Sequence, residues 1–243
     1  TIEDLFAEAY PNGFSKDNVK YIERSNAEVA SINYTSGTTG FSKGVITPAN
    51  ALAGNILFGF KTGLVYPGCR HVAFLPLAHA YGCAFDFLAC LAAGGHTHLI
   101  GRTPSPKILM KAFAEVKPTL ILSVPLILEK IYKKMIQPQI SRTAVSWVLK
   151  MPLLDKVVLN KIRETLVNAF GGEFSEIIIG GAPLNAEVEA FLKRLKFPLT
   201  VGYGMTETAP LISFAHWDKF KSQSCGRVLD GLMEVRIASP DGD

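Results

Sequence analysis

The stretch Tyr34-Thr35-Ser36-Gly37-Thr38-Thr39-Gly40-Phe41-Ser42-Lys43-Gly44 interleaves hydroxyl side chains with glycines and brings in a lysine near its end. Glycine lets the backbone turn so that successive N–H groups converge, and Thr and Ser hydroxyls add further donors. The Lys43 ammonium adds a positive charge, so the set could wrap an oligophosphate. It is not a Walker A loop, because Lys43 follows Ser42 and precedes Gly44, and a strand rather than a helix is expected after it. By composition alone it could equally be a surface turn.

Other stretches carry chemistry. In Tyr203-Gly204-Met205-Thr206-Glu207-Thr208, a ring is available for a flat base to stack on and Gly204 permits a sharp turn. Thr206 can donate to a phosphate oxygen, and Glu207 offers the hard carboxylate that Mg²⁺ takes beside waters and phosphates. Gly180-Gly181-Ala182-Pro183-Leu184 allows a flat ligand close to the backbone, or serves only as a tight turn. His79, in Leu75-Pro76-Leu77-Ala78-His79-Ala80-Tyr81-Gly82, is either a catalytic or a hydrogen-bonded structural histidine. His96 and His98 alternate on one expected strand face. With no third ligand at suitable spacing they are taken as solvated or core-edge side chains.

The elements that must hold these groups follow from periodicity and punctuation. Residues 29–34 alternate as a strand does, and Val45-Ile46 reads as its short successor. Thr47 with Pro48 predicts a capped helix over 49–60. A buried strand is expected over 71–75 and a helix over 83–93 that ends at Gly94-Gly95. A further strand follows over 96–100. Ser105-Pro106 starts a helix whose Leu109, Phe113 and Val116 face inward, and 119–123 is the next strand. Residues 124–163 are the most helical part, with Ile127, Ile131 and Met135 on one face and Lys130, Lys133 and Lys134 on the other. Strands are expected over 174–179, 199–202 and 233–237, and Asn185 caps a helix with Val188, Phe191, Leu192 and Leu195 inward. This rhythm predicts an α/β protein with mostly parallel sheets and crossover helices, ligand groups sitting at the carboxyl ends of strands.

With 48% hydrophobic and 19% charged residues in 243, the chain is globular rather than disordered. A net charge of +4, spread without a basic block, suits an anionic ligand and does not argue for nucleic acid. Cys69, Cys83, Cys90 and Cys225 form no C-x-x-C pair and no metal-ligand spacing. Cys83 and Cys90 should share one helix face, as buried cysteines of a reduced cytosolic protein do. The most apolar segment, 83–95, is broken by Asp86 and is too short to span a bilayer. A soluble cytoplasmic protein is therefore expected.

Taken in order, the strings at 34–44, 75–82, 180–184 and 203–208 resemble the motifs of the adenylate-forming superfamily of acyl-CoA synthetases, luciferases and nonribosomal adenylation domains. The residues after 226 resemble the sequence downstream of its magnesium motif. Val124-Pro125-Leu126-Ile127-Leu128-Glu129-Lys130-Ile131-Tyr132 looks like a segment of long-chain fatty acid–CoA ligases, with Leu126 where many carry arginine.

The resemblance implies ATP and Mg²⁺ as cofactors, with a fatty acid and coenzyme A as substrates. For a lipid substrate it also allows peripheral contact with a membrane. It places Thr35, Ser36, Gly37, Thr38, Thr39, Gly40 and Lys43 on the pyrophosphate. Gly180, Gly181, Ala182, Tyr203, Gly204 and Met205 fall on the adenylate, Thr206 on the α-phosphate and Glu207 on the metal, with His79 and Gly202 beside the acyl group.

It further implies a leading segment over 1–28 and part of the large N-terminal domain over 29–243, as in acyl-CoA synthetase/luciferase-like enzymes. The family's ribose-binding aspartate, hinge and C-terminal domain with its catalytic lysine find no match. The chain is accordingly expected to be a fragment, inactive alone. Asp241 and Asp243 do not match the ribose motif and carry no role. An amino-acid-activating domain and a non-catalytic nucleotide-binding module are the alternatives.

Overall fold

The computed structural model describes residues 1–20, 23–36, 42–101, 103–141, 143–148, 151 and 154–239. A short helix, α1 (Ile2–Ala9), capped by Thr1, comes first. β1 (Val29–Ser36) and β2 (Ser42–Pro48) form an antiparallel hairpin that sets Thr35 opposite Lys43. Residues 37–41 join the two strands and lie outside the described residues, as do Asp241 and Asp243. The expected roles of Gly37, Thr38, Thr39 and Gly40 fall there too.

α2 (Ala49–Lys61) begins differently from the sequence expectation. β2 runs through Pro48, which takes the cap position, and Thr47 makes no cap. Backbone carbonyls replace the hydroxyl: the Ala49 amide donates to Glu28 O at 2.8 Å and the Asn50 amide to Asn26 O at 3.0 Å. They satisfy helix-start donors that a capping side chain would otherwise take.

The parallel layer follows. β3 (Arg70–Ala73) pairs with β4 (His96–Leu99) across a helical crossover whose first part, Gly82–Ala89, is π-wound and whose last turn is α3 (Cys90–Ala92). The wider turn of a π-helix breaks the face-sharing expected of Cys83 and Cys90: Cys90 is buried and Cys83 is half-exposed. His96 and His98 are exposed, as expected of solvated histidines.

α4 (Pro106–Val116) is capped by Ser105 as expected and leads to β5 (Ile121–Ser123). α5 (Pro125–Met135), α6 (Gln137–Ile140), α7 (Thr143–Val148) and α8 (Leu154–Ala169) precede β6 (Ile177–Ile179). α9 (Ala186–Arg194) then crosses to β7 (Leu199–Val201). β5, β6 and β7 form a parallel sheet in that order, and its edge meets β3 at Thr119. The Thr119 amide donates to Arg70 O at 2.8 Å, and its Oγ1 accepts from the Arg70 amide at 3.0 Å.

Alternation along these strands fills two cores. Ile121, Ile177, Ile179, Leu199 and Val201 join Phe113, Phe170, Phe174 and Phe197 on one face. Leu120, Leu122 and Ile178 join Ala84, Phe85 and Leu211 on the other. A sheet covered on both faces reads as a continuous apolar run, which explains the Ile177-Ile178-Ile179 string. Each large side chain buried here contributes about 1.5–3 kcal/mol.

β8 (Tyr203–Gly204), β9 (Leu211–Phe214) and β10 (Arg227–Val228) close the fold as an antiparallel sheet. The strand expected over 233–237 is absent. Val235 and Ile237 are exposed, and no strand pairs with that segment among the described residues. Among the described residues no helix is long and apolar enough to cross a membrane.

Candidate functional site

Three separated strings converge where the parallel strands end. A cavity of about 150 Å³ is lined by His79 and Tyr81 from the loop after β3, Gly180 and Gly181 after β6, and the run from Gly202 to Thr206 after β7. Each part is anchored by a different contact. The Asn33 amide group donates to Ala78 O at 2.8 Å, tying β1 to the His79 loop. The Tyr81 hydroxyl donates to Ile178 O at 3.0 Å, which lays its ring beside Gly180. Burial, with the charge of Asp86 adding to it, holds the Tyr81 phenol well above its ordinary pKa, so it stays a neutral donor.

Space requires glycine at 204 and strongly favours it at 180. A Cβ on Gly180 would come within 3.0 Å of Tyr81 Cε1, and one on Gly204 within 2.1 Å of Pro210 O. Gly181 has a φ of +85°, a conformation open to glycine at no steric cost. The result is a slot with backbone on one side and the exposed Tyr203 ring on its rim.

The turn Thr206–Thr208 is held from both ends. Thr208 Oγ1 donates to Met205 O at 2.9 Å and to Pro210 O at 2.6 Å. Asn55, buried on α2, accepts from the Leu211 amide at 3.0 Å and donates to Thr208 O at 3.4 Å. β2 packs beside this turn, which brings the hairpin bearing Thr35 and Lys43 next to it.

Of the expected site residues, His79, Gly180, Gly181, Tyr203, Gly204, Met205 and Thr206 line the one cavity, with Gly202 between them. Ala182 is exposed just beyond its lining. Glu207 is exposed and faces an adjoining cavity with Asn50, Asn55 and Thr208. Thr35 is half-buried and Lys43 is exposed, both on the hairpin and neither lining the main cavity. Ser36 stands opposite Ser42 at the hairpin's end. Sequence reasoning missed Asn33, Asn55 and Tyr81, which position the site. An asparagine on the buried face of an apolar helix is the one signal that could have found Asn55.

The profile of AMP-binding enzymes matches residues 3–243. This chain belongs to that family. Long-chain-fatty-acid–CoA ligase FadD15 of Mycobacterium bovis is 30% identical over 244 aligned residues, covering 90% of this chain and 39% of the relative. Long-chain-fatty-acid–CoA ligase 4 of Saccharomyces cerevisiae is 32% identical over 211, covering 79% and 30%. Apo MatB from Rhodopseudomonas palustris superposes with a TM-score of 0.68 at 24% identity, over 93% of this chain and 38% of that one. O-succinylbenzoate coenzyme A synthetase (MenE) from Bacillus subtilis, solved with AMP, gives 0.64 at 21% identity, over 85% and 36%. The family is thereby that of AMP-binding enzymes and the fold is that of these solved neighbours, and the chain spans about two fifths or less of these relatives' lengths.

Proposed function

We propose that this chain carries the carboxylate-activating site of an ATP-dependent acid–thiol ligase acting on fatty acids. The observation that supports it is the single cavity gathering the His79, Gly180-Gly181 and Gly202–Thr206 strings. A carboxylate oxygen attacks the α-phosphorus of ATP, the bond to the β-phosphate oxygen breaks, and pyrophosphate leaves. The thiol of coenzyme A then attacks the acyl carbonyl, gives up its proton, and displaces AMP.

Little covalent work falls to the protein in such a reaction; positioning and neutralisation of phosphate charge carry it. Gly180, Gly181, Ala182 and Tyr203 hold the adenine, the Gly204-Met205 backbone shapes the turn, and Thr206 donates to the α-phosphate. His79 and Gly202 border the acyl group. The hairpin residues Thr35, Ser36 and Lys43, with the loop between them, hold the departing pyrophosphate. The cavity lined by Gly180, Gly181, Tyr203 and Gly204 suits a flat base. The exposed Glu207 carboxylate suits Mg²⁺, which takes one or two carboxylates and completes its shell with phosphates and water. When bound, the ion would neutralise phosphate charge.

A fatty acid substrate is supported by the names of the curated relatives at about 30% identity. On this reading residues 29–243 are part of a larger AMP-binding domain and 1–28 lead into it. The test is pyrophosphate release by the protein together with its natural flanking sequence, across carboxylates from acetate to palmitate and several amino acids. Release that requires a fatty acid supports the ligase. Release with amino acids alone moves the protein to peptide-synthetase chemistry, and none with any carboxylate leaves a nucleotide-binding module.

A further inference from the structure

Away from the cavity, Cys69, His71, Asp86 and Cys90 are sealed in the molecule, each 0% exposed. Cys69 and His71 lie two apart around the start of β3, so their side chains share one face. Cys90 opens α3, and Asp86 comes from the π-wound turn before it. The Cys69 and Cys90 sulfurs are 3.7 Å apart, and a ring nitrogen of His71 lies within 4.8 Å of both.

This is the spacing of a thiol–thiol hydrogen bond in which either sulfur can donate, and it is also a spacing that a metal ion can bridge. Tetrahedral sites with metal–sulfur bonds of ~2.3 Å separate neighbouring sulfurs by ~3.8 Å. A disulfide would require ~2.05 Å. Gly95 makes room for the pair: a Cβ there would come within 2.5 Å of Cys69 Sγ and 2.8 Å of Cys90 Sγ. Among the described residues neither His71 nitrogen and neither Asp86 oxygen makes a hydrogen bond, and the two side chains meet in a longer ion-pair contact, Nδ1 to Oδ1 at 3.6 Å. Buried polar atoms normally find close partners, so an imidazole held this loosely by its carboxylate and within 4.8 Å of two sulfurs calls for an explanation.

We propose that Cys69, His71 and Cys90 are the ligands of a structural site for a thiophilic cation, Zn²⁺ or Cu⁺, with Asp86 orienting the imidazole from its other side. Thiolate and imidazole donors are the set these ions prefer. The carboxylate beside the ring is the usual partner of a metal-bound histidine. The two cysteines bind as thiolates and His71 as neutral imidazole, and the protons they hold without metal pass to solvent. The site lies in the crossover that carries Tyr81, so a metal there would brace the loop bearing His79.

The test is metal analysis of the purified protein, followed by Co²⁺ titration of chelator-treated protein with the thiolate-to-cobalt absorption as readout. The proposal expects zinc or copper at about one equivalent per chain. It also expects a cobalt–thiolate band that Cys69→Ser and Cys90→Ser abolish and Cys83→Ser and Cys225→Ser leave intact. Elemental analysis distinguishes the two ions. Should the Cys69 or Cys90 variants fail to fold, the titration of the unsubstituted protein decides alone. Folded protein without bound metal and without a cobalt–thiolate band overturns the proposal. So does a mass short by two hydrogens with Cys69 and Cys90 found in one disulfide.

Discussion

The Tyr81 hydroxyl donates to the carbonyl of Ile178 at 3.0 Å, and this one bond fixes the floor of the slot at Gly180. It links the loop after β3 to the middle of β6 and joins the two parallel sheets beneath the ligand groups. Tyr81→Phe keeps the ring and removes the bond, so we expect a stability loss of about 0.5–1.5 kcal/mol. Urea unfolding measures it. An unchanged midpoint would mean that Ile178 finds another donor.

Asn55 joins α2 to the turn after Glu207. Asn55→Ala orphans the buried Leu211 amide, which the side chain caps at 3.0 Å. A loss of about 1–3 kcal/mol is expected from the stranded donor. A loss of nucleotide-dependent turnover should accompany it, because the Thr206–Thr208 turn is no longer tied down. Denaturant titration and pyrophosphate release, both on the protein with its natural flanking sequence, separate the two effects.

Glu207 is exposed, so Glu207→Gln should leave the unfolding midpoint within about 0.5 kcal/mol of the parent. Pyrophosphate release should nevertheless collapse, and added Mg²⁺ should restore little of it. Full activity in the variant would remove Glu207 from any metal role.

Glu176 gives a pH signature. It is buried, with Oε1 2.6 Å from His216 Nδ1 and Oε2 accepting from the Trp217 amide at 3.0 Å. Burial raises its pKa above 4.5, and the hydrogen bond and charge of His216 only partly offset the rise. A folded-state pKa above the unfolded one means that folding favours the protonated form. The stability this group contributes is therefore present in full below pH 4.5 and is lost as pH rises through the folded value. Glu176→Gln cannot titrate, so its stability should gain on the parent's as pH climbs from that point. Parallel pH profiles of the two proteins, by urea unfolding, check the sign.

What the sequence made legible was local. Ser105 and Asn185 cap their helices as their positions suggested, and the Ile177-Ile178-Ile179 run is a strand buried on both faces. What escaped it depends on partners distant in the chain. Thr47 looked like a cap because nothing local reveals that the carbonyls of Asn26 and Glu28 already occupy the start of α2. The 233–237 stretch alternates like a strand but meets no edge among the described residues, whereas Arg227-Val228 pairs with β9 at Phe214 and Ser213. Cys83 and Cys90 parted faces because the π-wound turn changes the period that their spacing presumes. Within the site, the glycines and the Tyr203–Thr208 run were visible as ordered strings. Asn33, Asn55 and Tyr81 were not, since each acts on a carbonyl or amide from another part of the chain.

The most direct test of the assembled site is calorimetric titration with a non-hydrolysable acyl-adenylate analogue, comparing the protein with its Gly180→Val variant. The account predicts saturable binding by the parent and at least a tenfold loss, about 1.4 kcal/mol, in the variant, whose added side chain meets the Tyr81 ring. Equal binding by both folded proteins, or none by the parent, would contradict it.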